Sequence, residues 1–177
     1  MGLIGISTIL SPDLLHALCS MGHGDEIVLA DVHFPTSSLC RNGPKEIRLD
    51  GQEIPELLRA ILKLMPLDTY VKEPICLMKL ESQDENVFLK TDLIWRNYYE
   101  IIEQLCPEVI RGDLTDLIMQ EGVEYINRID FYNKASKAFA IVHTGETAQY
   151  SNIILTKGVV KYCTTEFKET FCSPFQF

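Results

Sequence analysis

Short apolar segments rich in β-branched residues alternate in this chain with longer segments of helical periodicity. The short runs Glu26–Ala30 and Ile75–Leu80 are typical of buried strands. The clearest helical segment carries apolar residues at the spacing of a single helix face: Ile54, Leu57, Leu58, Ile61, Leu62 and Met65. Because helices and strands that alternate along a chain pack as layers around one sheet, the pattern predicts an α/β fold. We therefore expect a compact single domain with a central sheet flanked by helices.

Capping and stop signals predict the remaining elements. Ser11-Pro12 is typical of a helix start, and Gly22 is expected to end that helix. Asp92 is expected to cap a second helix that ends at Cys106-Pro107. The other predicted elements are a helix over Phe131–Ala138, strands over Phe139–His143 and Tyr150–Leu155, and loops and turns over most of His33–Asp50.

The chain is acidic, which restricts its partners. Its 16 Lys and Arg residues against 25 Asp and Glu residues give a formal net charge of −9 at pH 7. Nucleic-acid backbones and anionic membrane surfaces attract basic faces, so neither is expected as a partner. No apolar run approaches the roughly 20 residues that a membrane-spanning helix needs. The length of 177 residues suits one domain, and the six cysteines without a C-x-x-C pair predict reduced thiols in a cytoplasmic protein.

Two segments place side chains suited to proton transfer or polar ligands near strand ends. His23 stands between two glycines directly before the first strand, and Asp31 follows that strand. Histidine exchanges protons near neutral pH, and α/β domains gather ligands at strand ends. A helix cap at His23 and a turn at Asp31 form the alternative interpretation. Tyr150 and Asn152, two residues apart on a predicted strand, are expected to point to one face and to suit a hydroxyl-rich ligand, with a packing role as the alternative.

Signatures of several other chemistries are missing from the sequence. It contains no G-x-S-x-G, P-loop or G-x-G-x-x-G motif, which argues against serine hydrolysis and nucleotide binding. His23, His33 and Cys40 lack the spacing of zinc ligands, so no metal is expected.

Eight stretches of the chain follow one another in an order that a known family shares. They are L-S-P-D-L-L-H-A-L from Leu10, M-G-H-G-D-E-I-V-L-A-D from Met21, H-F-P from His33, I-R-L-D-G from Ile47, L-D-T-Y from Leu67, F-Y-N-K-A-S-K-A-F-A-I-V from Phe131, T-G-E from Thr144, and Y-S-N-I-I-L-T-K-G-V from Tyr150. They are spread along the chain, so that the resemblance extends over nearly all of residues 7–159. On these motifs the chain resembles the fucose mutarotase/ribose pyranase family, and most closely its fucose mutarotase branch.

The resemblance implies a fold, an activity and an assembly. It implies a mutarotase-like α/β domain over residues 1–160, which interconverts the α and β anomers of L-fucose without a metal or cofactor. It also implies a homo-oligomer, from a dimer up to a ring-based decamer, with sugar sites between neighbouring subunits. Interconversion of ribose pyranose and furanose rings is one alternative, and a non-catalytic sugar-binding oligomer is another.

The resemblance also assigns roles to individual positions. His23 matches the catalytic histidine of M-G-H-G-D. The matching substrate-binding positions are Asp31, Asp68, Arg128, Tyr132, Tyr150 and Asn152.

The chain departs from the family pattern in four places. Residues 112–125 are a predicted insertion, and residues 161–177 are a predicted C-terminal extension. Asn133 replaces a glutamate, and Ser151 replaces a glycine.

Overall fold

Strands from both halves of the chain form one mixed sheet at the centre of the domain. The structure, a computed structural model, describes residues 2–81, 88–110 and 121–160. The strands in that part of the chain are β1 (Glu26–Ala30), β2 (Lys45–Leu49), β3 (Ile75–Met78), β4 (Val123–Ile126), β5 (Ala140–Thr144) and β6 (Ile153–Thr156). Their order in the sheet is β2-β5-β1-β6-β3-β4.

Helices cover both faces of this sheet. They are α1 (Pro12–Ser20), α2 (Thr36–Leu39), α3 (Ile54–Leu62), α4 (Phe88–Leu105) and α5 (Arg128–Ala135), with a 3₁₀ turn over Cys40–Asn42 after α2. The larger core packs α1, α3 and α4 against one face through side chains such as Leu14, Leu57 and Ile102. The smaller core packs Phe131 of α5 and Phe34 against the other face. The predicted α/β class, a central sheet flanked by helices, is confirmed.

Strand direction decides which loops meet. β1, β5 and β2 run parallel, whereas β6 runs antiparallel to both of its neighbours, β1 and β3. Glu26 pairs with Thr156 and Leu29 with Ile153, so β6 begins beside the end of β1 and ends beside its start. β1 has five residues and therefore spans about 17 Å. The loops at its two ends form two separate groups.

Several predicted boundaries shift in the structure. Ser11 caps α1 as predicted, with its side chain accepting a hydrogen bond from Leu14 N at 3.2 Å. That helix ends at Ser20, however, with Met21 rather than Gly22 as its cap. α5 begins at Arg128, three residues before the predicted start, because Asn127 caps it through Asp130 N.

Two predictions are wrong. His33–Asp50 was expected to be mostly loop and turn, but it contains α2 and the strand β2. β2 lies at the sheet edge with Ile47 buried and Arg48 exposed. An edge strand of this length has only a short alternating pattern, and the turn residues on both sides of it led to the prediction of a loop. Asp92, predicted to cap a helix, lies inside α4, where its carboxylate accepts a hydrogen bond from Arg96 Nε at 2.9 Å.

Within the described residues, no helix is both long and apolar enough to cross a membrane. Of the predicted insertion over 112–125, residues 121–125 are described, and its last three belong to β4. Residues 112–120 and the predicted extension over 161–177 lie outside the described residues.

Candidate functional site

A cleft of about 230 Å³ opens where β1 and β3 end and β6 begins. Five of the predicted substrate-binding residues lie around it: Asp31, Arg128, Tyr132, Tyr150 and Asn152. They come from three regions of the chain, which meet because antiparallel β6 starts next to the end of β1. The sequence analysis missed the other lining residues, which are His33, Phe34, Met78 and Gln149. The cleft position of Met78 could have been anticipated from its place at the end of a predicted strand.

Asp31 and Asn152 form a reciprocal pair on the wall of the cleft. Asn152 Oδ1 accepts a hydrogen bond from Asp31 N at 2.9 Å, and Asn152 Nδ2 donates to Asp31 Oδ2 at 2.6 Å. His33 N donates to the other carboxyl oxygen, Asp31 Oδ1, at 2.9 Å. Burial raises the pKa of Asp31, and these hydrogen bonds oppose that shift. The pair is a fixed arrangement of buried polar groups suited to sugar hydroxyls.

Tyr150 reaches the cleft from an unusual backbone conformation. The prediction that Tyr150 and Asn152 share a strand face is wrong, because Tyr150 precedes β6 and has a φ of +59°. Residues with a Cβ atom rarely adopt this left-handed backbone conformation, which lowers the stability of the fold by about 1–3 kcal/mol. Ser151, where the family pattern has glycine, is fully buried, and its Oγ donates to Ala148 O at 2.7 Å. The loop therefore needs external support.

One face of α4 provides that support. Thr91 Oγ1 donates to Gln149 O at 3.0 Å. Trp95 Nε1 donates to Tyr150 O at 3.0 Å, and Tyr98 Oη donates to Ser151 O at 2.8 Å. Residues 91, 95 and 98 lie on one face of a helix by their spacing, and they hold three consecutive carbonyls. We call these three side chains the α4 clamp.

Aromatic rings and one cation form the outer part of the cleft. The rings of Phe34 and Tyr132 meet edge to face, with centroids 5.2 Å apart. Burial raises the pKa of the Tyr132 hydroxyl. Arg128 Nε lies 3.5 Å from Glu81 Oε1, and both side chains are partly exposed. This side of the cleft combines an apolar ring surface with groups that donate hydrogen bonds, as ligands with both C–H and O–H faces require.

His23 lies at the opposite end of β1, in a tight turn. Gly24 has a φ of +84°, which glycine adopts without strain. Asp25 Oδ2 accepts a hydrogen bond from Gly22 N at 2.7 Å. Lys157 Nζ donates to Leu18 O at 2.8 Å and to Met21 O at 2.6 Å. Lys157, which the sequence analysis did not single out, therefore satisfies the carbonyls at the end of α1, and His23 is not the cap.

The imidazole of His23 instead pairs with Asp68. Its Nε2 lies 3.0 Å from Asp68 Oδ2, across 45 positions of sequence. The His23 side chain is 50% exposed, whereas that of Asp68 is 2% exposed. The ring of Tyr70 packs edge-on against the His23 ring, with centroids 5.6 Å apart. These three residues form the histidine half of the candidate site.

The two halves do not meet within one chain. His23 and Asp68 lie beyond the start of β1, and the cleft lies beyond its end, so the strand length of about 17 Å separates them. Of the predicted site residues, the structure therefore brings five together at the cleft and two together at the other end. Within the described residues, no group of three or more His, Cys, Asp or Glu side chains is arranged to hold a metal ion.

Comparisons with known proteins show which family this chain resembles over most of its length. A family model described as the RbsD / FucU transport protein family matches residues 4–160. A Bos taurus protein named fucose mutarotase is 50% identical over 156 residues, which cover 88% of this chain and 93% of that protein. The Homo sapiens protein of the same name is 49% identical over 157 residues, with 88% and 93% covered.

A solved structure gives the same result. The fucose mutarotase of Streptococcus pneumoniae in complex with L-fucose is 46% identical and superimposes with a TM-score of 0.75, covering 90% of this chain and all of that one. The family model spans most of the chain, and the relatives are about 50% identical to it. This chain therefore belongs to the RbsD / FucU transport protein family.

Proposed function

We propose that this protein is an L-fucose mutarotase, an isomerase that interconverts the α and β anomers of the sugar. The main support is the cleft, where a buried carboxyl–amide pair faces aromatic rings in a volume of about 230 Å³. Pockets for drug-sized ligands start at roughly 300 Å³, so this one suits a monosaccharide. The identity of about 50% to relatives named fucose mutarotase, and the likeness to a relative solved with L-fucose, favour fucose over ribose.

The chemistry follows from the cyclic hemiacetal. One group protonates the ring oxygen while another removes the proton from the anomeric hydroxyl, and the C1–O5 bond breaks to give the open aldehyde. Rotation about C1–C2 exposes the other carbonyl face, and the reverse proton transfers close the ring as the other anomer. Atoms and charge balance without a co-reactant. General acid–base groups placed for such transfers typically accelerate them by about 10²–10⁴-fold.

The residues divide between binding and proton transfer. Asp31, Asn152 and Arg128 bind sugar hydroxyls, while the Phe34 and Tyr132 rings cover the C–H face. Tyr150 lies across the same cleft, and its hydroxyl is a candidate for the second proton transfer. His23 is the principal proton-transfer group, because its ring is half exposed and oriented by a carboxylate.

A second copy of the chain completes the site. In one chain His23 lies about a strand length from the cleft, too far for it to act on a sugar bound there. We propose a homo-oligomer in which the histidine half of one subunit faces the cleft of its neighbour. The family resemblance supports this arrangement, and cytoplasmic location stays a prediction that cell fractionation would test.

The direct test is NMR saturation transfer between the anomeric protons of L-fucose. Wild-type protein is expected to accelerate the exchange, and His23→Ala is expected to lose about 10²-fold or more of that acceleration. His16→Ala is the matched control, because His16 is an exposed histidine on α1 that is not among the predicted site residues. The same measurement with D-ribose tests the alternative substrate. Binding of L-fucose without faster exchange would leave only a sugar-binding oligomer.

A further inference from the structure

We infer that Asp68 is a positioning residue: it holds His23 through Nε2 and leaves Nδ1 as the nitrogen that exchanges protons with the sugar. This inference rests on the proposed mutarotase function. It gives Asp68 a role different from the substrate-binding role that the family resemblance implies.

Both oxygens of Asp68 are engaged by its own chain. Oδ2 lies 3.0 Å from His23 Nε2, and Oδ1 accepts a hydrogen bond from Tyr70 N at 2.9 Å. The residue itself is fixed in the structure, because Asp68 N donates to Thr156 O at 3.0 Å. Both oxygens of Asp31 are engaged as well, but Asp31 lines the cleft, whereas Asp68 lies outside it and contacts the imidazole of His23.

The carboxylate selects one tautomer of His23. An ionised carboxylate only accepts hydrogen bonds, so the nitrogen that faces it carries the proton. Nε2 is therefore protonated in the neutral ring, and Nδ1 keeps its lone pair. Among the described residues, no hydrogen bond reaches Nδ1, and the side chain is half exposed. Nδ1 is thus the nitrogen available as a base, and after proton uptake it is the donor.

Asp68 also limits rotation of the imidazole. Its Oδ1 closes a short turn with the backbone of Tyr70, and the Tyr70 ring then packs edge-on against His23 at 5.6 Å. The histidine is held by a hydrogen bond to Nε2 and by this ring contact. A fixed orientation matters because proton transfer requires the nitrogen within hydrogen-bond reach of the sugar oxygen.

Asp68→Asn separates positioning from sugar binding. The asparagine oxygen is needed at Tyr70 N, so the amide NH₂ group faces His23 Nε2 and forces Nε2 to become the acceptor. His23 then carries its proton on Nδ1, which loses its lone pair. We expect kcat for anomer exchange to fall by about 10²-fold or more, with KM for L-fucose close to that of wild type. Asp13→Asn, the same change at a residue with an 80% exposed side chain in α1, is the control.

Nitrogen-15 NMR of histidine-labelled protein reads the tautomer directly. In wild type we expect the neutral His23 ring to be protonated at Nε2, with the His23→Ala variant identifying its signals; in Asp68→Asn we expect protonation at Nδ1. The wild-type measurement stands even where the variant fails to fold. Protonation at Nδ1 in wild type would overturn the inference, as would a raised KM with unchanged kcat in Asp68→Asn, which marks a direct sugar ligand. Wild-type protein without mutarotase activity would overturn the proposed function instead, while the tautomer would still decide whether Asp68 fixes the ring.

Discussion

At the residue scale, the two buried aspartates of the candidate site have different surroundings. Asp68 faces an imidazole that can carry a positive charge, whereas Asp31 faces an amide and a backbone N–H group. Burial is the largest influence on Asp31 and raises its pKa above the ordinary value of 3.8, although its hydrogen bonds and the charge of His33 oppose that shift.

The raised pKa of Asp31 predicts a specific pH dependence of stability. The folded state binds this proton more tightly than the unfolded state. The stability that proton binding at Asp31 contributes is therefore fully present below the unfolded pKa and is lost as the pH rises through the folded pKa. Asp31→Asn removes the titration. We expect the unfolding free energy of Asp31→Asn, measured relative to wild type by urea denaturation, to increase as the pH rises above the unfolded pKa of about 4.

The sign of that slope is the informative result. Asp31→Asn also places two amide NH₂ groups face to face at Asn152, which lowers stability by an amount that does not depend on pH. A constant difference between variant and wild type across the range would show that the Asp31 pKa is not raised in the folded protein.

At the element scale, α4 links core packing to the cleft. Its buried face packs in the larger core, and the α4 clamp on the same helix holds the carbonyls of residues 149–151. Tyr98 and Tyr99 are adjacent and both almost fully buried, and the Tyr98 hydroxyl donates to this loop. The Tyr99 hydroxyl contacts that of Tyr125 on β4 instead. Burial raises the pKa of both tyrosines, so each acts as a neutral hydroxyl.

This pair gives a matched test of the α4 clamp. Tyr98→Phe removes one hydroxyl and leaves the Ser151 carbonyl without that donor, which is expected to lower the unfolding free energy by about 1–3 kcal/mol. Because the loop also sets the backbone of Tyr150 and leads into Asn152, we expect KM for L-fucose to rise several-fold. Tyr99→Phe removes a hydroxyl at the same depth and is expected to leave KM unchanged. Equal KM changes in the two variants would show that the clamp does not position the cleft.

At the scale of the whole molecule, the separation of the two halves predicts complementation between subunits. His23→Ala removes the histidine half, and Tyr132→Ala removes part of the cleft. In a mixed oligomer, some sites pair an intact histidine half from one subunit with an intact cleft from another. Co-expressed variants are therefore expected to recover up to about one quarter of wild-type exchange activity, while each variant alone stays inactive.

The oligomeric state must be measured on the same samples. Sedimentation or light scattering should show an oligomer for each variant alone and for the mixture. A monomeric wild type with full mutarotase activity would contradict the proposed shared site, because one chain cannot bring His23 to its own cleft. An oligomer that contains both variants but shows no recovery would also contradict a site shared between subunits.

Local patterns predicted most of the elements but not all of their boundaries. The helix from Ile54 and the strand Glu26–Ala30 follow from periodicity, which short-range geometry sets. β2 was missed because an edge strand of five residues between turn signals carries a weak pattern. The strand assigned to Tyr150 was wrong because hydrogen bonds from α4, more than 50 positions away, hold that backbone in the left-handed region.

The sequence by itself determined the fold class, the family resemblance and the residues to inspect, because periodicity, caps and short motifs are local properties of a chain. Only the tertiary structure decided which of those residues meet. Antiparallel β6 brings Asn152 to Asp31 across 121 positions, and the loop before β3 brings Asp68 to His23 across 45. Strand order and direction arise from packing of the whole core, and no local pattern encodes them. For that physical reason, only the structure separates the histidine half from the cleft and turns Asp68 toward the imidazole.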